Sequence, residues 1–105
     1  MTKYHKESKQ KVLDRDNYRC QHCLKWPVFS VAHRIARTKE NLKYFGEHII
    51  NHPFNLVAAC EDHNDKYNIG NNPAKCKKLV GLINRMGNEP MNEALVVFIN
   101  DLLSK

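Results

Sequence analysis

The chain of 105 residues has no apolar stretch long enough to span a membrane, and no internal repeat, low-complexity tract or long linker. Its opening residues, MTKYHKESKQ, lack an apolar h-region and a cleavage site, so a cytoplasmic protein in a reducing compartment is expected. Cysteine is scarce, with four in all. In a reducing compartment such cysteines point to metal binding rather than to disulfides. At this length one domain is expected, 1–105, with a core modest enough for a metal staple to matter.

The cysteines that are present are arranged in a telling way. Cys20-Gln-His-Cys23 is followed, after 36 intervening residues, by Cys60-Glu-Asp-His63. A two-residue gap lets two side chains on a tight knuckle converge on one ion, and thiolate sulfur with imidazole nitrogen suits tetrahedral Zn²⁺. Two such pairs close one structural zinc site, and four protein ligands leave no open position for chemistry. Cys76 is a rival to His63 as fourth ligand. However, it follows Pro73 in a helical pattern and has no partner two residues away, which fits a buried free thiol. His22, inside the first knuckle, is expected to face solvent.

Lys and Arg outnumber Asp and Glu by 17 to 11, and the excess is one-sided. Residues 1–50 hold 11 basic and 5 acidic side chains, whereas residues 51–105 hold 6 of each. A one-sided positive field suits a polyanion, because each neutralised phosphate releases condensed counterions.

Coarse patterning predicts an α+β fold. Residues 3–17 read as a basic helix with Lys3, Lys6 and Lys9 at i, i+3 spacing and Tyr4, Val12 and Leu13 as its apolar positions. Residues 28–32 read as a strand ending near His33, and residues 55–59 as a second strand feeding Cys60. Between them, residues 38–45 read as a short helix capped by Thr38 and stopped by Gly46. A helix is expected from Asp62 to Asn68, and another from Asn72-Pro73 to Gly87 with Leu79, Leu82, Ile83 and Met86 on one face. A last helix begins at Pro90 and carries an apolar stripe of Leu95, Phe98, Ile99 and Leu102. That stripe packs on the preceding helix or forms a homodimer contact.

The segments RDNYRCQHC, VAHRIA and HPFNLVAACEDHNDK together resemble the HNH family, the ββα-metal or His-Me finger endonucleases. The resemblance covers residues 15–70, with 72–105 as a helical extension. It implies a zinc-stapled ββα-metal finger with an added N-terminal helix and two C-terminal helices, acting as a Mg²⁺-dependent endonuclease on double-stranded DNA. His33 takes the place of the general base, and an imidazole that titrates near neutrality suits deprotonation of a water molecule. Asn55 matches the asparagine that holds the loop and orients that histidine. Asn64 matches the ligand of the catalytic metal, and Asn68, one helical turn on, the place of a further ligand. By the same resemblance, cleavage leaves a 5′-phosphate and a 3′-hydroxyl.

The chain departs from the family pattern at Ala32, where an acidic residue or histidine usually contributes to the metal. Asn68, Asp65, Glu47 and His52 are the candidate replacements; alternatively Asn64, waters and the substrate phosphate hold the ion. A third outcome is an inactive zinc-stabilised module that binds nucleic acid. Arg34, Arg37, Lys39, Lys43 and Lys66 lie where they could grip phosphates flanking the scissile bond. His5 and His48 have no motif support, and sequence specificity is not encoded in any recognisable second DNA-reading motif.

Overall fold

The structure, a computed structural model, describes residues 3–70, 72–87 and 93–104, leaving aside the side chains of residues 3–5, 65, 93 and 104. Among these residues the fold is a compact α+β arrangement of five α-helices and a two-stranded sheet. None of the described helices is long and apolar enough to cross a membrane. The start expected at Pro90 lies outside the described residues.

Helix α1 (Lys3–Arg15) buries Val12 and Leu13 and stops two residues earlier than its pattern suggests. Asn17 and Tyr18 both take positive φ, 59° and 56°, and the Tyr18 N–H closes the helix by donating to the Leu13 carbonyl. This is the left-handed helix exit that asparagine tolerates. The chain then enters the Cys20–Cys23 knuckle, where Leu24 also has positive φ and its N–H donates to the Cys20 carbonyl.

Strands β1 (Val31–His33) and β2 (Leu56–Ala58) pair antiparallel, with Val31 opposite Ala58, Ala32 opposite Val57 and His33 opposite Leu56. β1 begins three residues later than expected, and β2 is without Asn55, which ends the 3₁₀ turn Pro53–Asn55, and Ala59. The Val28 N–H donates to Tyr18, and beyond His33 the Ile35 N–H is taken by the Asn55 side chain. Helix α2 (Lys39–Phe45) forms as its caps dictate. Thr38 Oγ1 accepts from the Asn41 N–H, and Gly46 ends the helix at φ 89°, a region that favours glycine. The sequence pattern did not indicate helix α3 (Glu47–Ile50), a single turn that buries Ile49 and Ile50.

The segment expected as a helix from Asp62 is instead a 3₁₀ run, Glu61–Tyr67. The reason is local: the His63 N–H donates to the Cys60 carbonyl, and i, i+3 side chains eclipse in this geometry. Cys60 and His63 are thereby turned to one side. Helix α4 (Pro73–Met86) starts at Asn72, whose side chain accepts from the Lys75 N–H. On helix α5 (Glu93–Ser104) the buried apolar residues are Leu95, Val96, Ile99 and Leu103. Phe98, expected in the buried stripe, faces outward and is exposed, as is Val97.

Two apolar clusters result. One joins Ile35, Ile49, Ile50 and Phe54 to Cys76, Leu79, Leu82 and Ile83 of α4 and to Leu95, Ile99 and Leu103 of α5. The smaller one gathers Leu13, Cys20, Val28, Ala32, Ala58, Ala59 and Cys60 around the knuckles.

Candidate functional site

The Cys20, Cys23, Cys60 and His63 ligand atoms all lie within 4.8 Å of one another. Cys23 Sγ is 3.7 Å from Cys60 Sγ, and Cys60 Sγ is 3.1 Å from His63 Nδ1. Zinc–sulfur bonds of about 2.3 Å in a tetrahedron set two sulfurs roughly 3.7 Å apart, whereas a disulfide needs about 2.0 Å. The spacing is that of a metal cluster, and all four cysteines are free thiols. The cluster could hold a metal ion such as zinc. Burial pushes the Cys20 thiol up, but the backbone N–H groups of Cys23, Cys60 and His22 and the Cys23 thiol outweigh it, bringing it down to about 6. Burial pushes the Cys60 thiol up, and the Cys23 and Cys20 side chains push it further.

Cys76 is not among these ligands. It lies in the helical cluster, where burial raises its thiol and its Sγ donates to the Ile69 carbonyl at 3.4 Å. His22 is exposed, and its ring packs against that of His63 at 4.4 Å between centroids.

His33 ends β1 in the position opposite Leu56, half-buried, with the 3₁₀ run Glu61–Tyr67 packed against its strand. Asn55 is wholly buried behind it. The Asn55 Oδ1 accepts from the Ile35 N–H at 2.8 Å, and its Nδ2 donates to the carbonyls of Ile35 at 3.1 Å and Ile50 at 2.7 Å. The Asn55 carbonyl in turn accepts from the Arg34 N–H at 2.8 Å. One asparagine therefore ties the chain just after His33 to the end of α3. Asn64 also reaches β1, its Nδ2 donating to the Val31 carbonyl at 3.3 Å.

The other expected site residues are placed as follows. Asn68 is exposed and its Oδ1 accepts from the Gly70 N–H at 2.7 Å, which is a cap within its own turn. Ala32 is 0% exposed and points into the knuckle cluster, away from the face of His33. His52 is buried; its Nδ1 accepts from the Phe54 N–H, and its Nε2 lies 3.2 Å from the Gly87 carbonyl. Glu47 is exposed and accepts from Asn51 at 3.3 Å, while the Asp65 side chain lies outside the described residues. Among the described residues no second group of three His, Cys, Asp or Glu side chains converges as the four knuckle ligands do.

Arg37, Lys39, Lys43 and Lys66 are exposed. Arg34 is not, and its position departs from the phosphate-contacting surface role read from the sequence. It is 5% exposed, its Nη2 donates to Asn100 Oδ1 at 2.6 Å, and its guanidinium lies 5.6 Å from the Tyr67 ring centroid. Burial, with Arg15 nearby, lowers its pKa to about 10.

Arg15 and Asp16, which no spacing in the sequence singles out, are used heavily by the fold. The pair is joined at 2.7 Å with side chains 3% and 2% exposed. Asp16 Oδ2 also accepts from the Ala58 N–H, and Arg15 donates to the carbonyls of Pro53 and Leu56. The two charges thus clamp both ends of β2 to α1. The only clue in the sequence was their place directly before the first knuckle. Compared with family models, curated proteins and solved structures, the chain matches none.

Proposed function

We propose that the chain is a metal-dependent HNH-type endonuclease that hydrolyses DNA phosphodiester bonds, with zinc on Cys20, Cys23, Cys60 and His63 as a structural staple. The observation that carries this reading is the grip of Asn55 on Ile35 and Arg34, immediately behind His33. A general base works only when it is held within hydrogen-bond reach of its proton, and small misplacements are costly. In this reading His33 takes the proton of the attacking water, and Asn55 keeps the strand end from drifting. Asn64, anchored through its Nδ2, offers its Oδ1 as the protein's ligand for a divalent ion that draws its other ligands from water and the substrate phosphate. Such an ion, when bound, offsets charge on the departing 3′ oxygen. Arg37, Lys39, Lys43 and Lys66 position the phosphate backbone, whereas Arg34 braces the fold.

A second reading has one specific observation in its favour. Ala32 is fully buried and brings no ligand, which suits a zinc-stabilised module that binds nucleic acid without cutting it. Incubating the protein with supercoiled plasmid separates the two. Nicked circles that form with Mg²⁺ and are suppressed by chelating it support the endonuclease. Plasmid retained on the protein but left intact supports the inactive module.

A further inference from the structure

Phe29 is a large apolar side chain left 65% exposed, just before the strand that carries His33. Its ring meets that of Tyr18 edge-on, with centroids 5.8 Å apart at 62°. Tyr18 is itself fixed, because its hydroxyl donates to Asp14 and accepts from Gln10. The two rings form one wall of a groove of about 600 Å³, and the other wall is α1, with Lys6, Lys9, Gln10 and Leu13. Lys6 and Lys9 stand at i, i+3, on one side of the helix. Asp14, the acid nearest these rings, is occupied by Gln10 and Tyr18.

We infer that this groove is a platform on which an unpaired base of single-stranded DNA stacks against Phe29 while Lys6 and Lys9 hold its phosphates. Aromatic faces and ammonium groups in one groove are the pair of features that single strands satisfy together. An apolar protein partner would have to bury the two lysines without compensation. Phe29 lies four residues before His33, in the segment that leads into β1. Four residues of extended chain span about 13 Å. A single strand held at His33 is therefore within a few nucleotides' reach of Phe29. The link to a scissile phosphate rests on the endonuclease reading; the stacking itself does not.

The test is fluorescence anisotropy of a labelled short oligothymidylate, and of a duplex, titrated with wild type, Phe29→Ala and Phe29→Tyr. Metal content and circular dichroism verify that the variants fold. Phe29→Ala is expected to weaken oligothymidylate binding on the order of tenfold, Phe29→Tyr to keep it, and duplex binding to change little. Equal oligothymidylate affinity for Phe29→Ala and wild type overturns the inference. A change in sedimentation without a change in affinity also overturns it, by making the patch a contact between copies. If single strands bind through Phe29 but plasmid is never nicked, the endonuclease reading fails and the platform stands. If plasmid is nicked and Phe29→Ala binds single strands like wild type, the platform alone fails.

Discussion

His52 and Asn55 sit three residues apart, both buried, and together they decide how the chain enters β2. Burial lowers the His52 pKa to about 4, against the partial opposition of its bond to the Gly87 carbonyl, so the ring is neutral in the fold. The unfolded chain binds that proton at about 6.5, as histidine ordinarily does. The stabilisation is therefore complete above about pH 6.5 and is lost as pH falls toward about 4. Thermal melts across this range are expected to show a steeper acid loss for wild type than for His52→Gln; parallel profiles would contradict the assignment. Gly87 lets the ring approach, since a methyl there would meet the Ile83 carbonyl and His52 Nε2. Asn55→Ala removes three buried hydrogen bonds and orphans backbone groups of Ile35 and Ile50. A destabilisation of about 3 kcal/mol is expected by denaturant unfolding, and a change below about 0.5 kcal/mol would mean the grip is slack.

Among the elements, the contact between α1 and β2 rests on the Arg15–Asp16 pair. Asp16→Ala would leave a buried guanidinium without its partner and the Ala58 N–H without an acceptor. Losses of about 3–5 kcal/mol are typical of such breaks, so the variant is expected to melt far below wild type. Elements with local signals were legible: α2 from Thr38 and Gly46, α4 from Asn72 and Pro73. Elements set by tertiary demands were not. The 3₁₀ run at Glu61–Tyr67 follows from aiming Cys60 and His63 at one point, and β1 starts late because the Val28 N–H is claimed by the Tyr18 carbonyl. The four knuckle ligands could be read from spacing, whereas His33, Asn55 and Asn64 were marked only by the resemblance to the HNH family. The burial of Arg34 could not, because its partner Asn100 is 66 residues away.

For the molecule as a whole, the two apolar clusters divide the labour. The helical cluster is an ordinary core, whereas the knuckle cluster is small and contains Cys20 and Cys60 themselves. The knuckle half should therefore depend on metal, and metal analysis is expected to find one zinc per chain, lost in Cys60→Ala. Substituting Cys76 by Ser is expected to leave zinc bound, since that thiol lies in the other cluster. Absence of zinc from the purified protein would remove the staple from the proposal. The most direct test of the central claim is the rate of plasmid nicking in Mg²⁺ by wild type and by His33→Ala at matched zinc content. If His33 is the base, its removal slows nicking by at least about 100-fold. Equal rates in the two proteins would contradict that role.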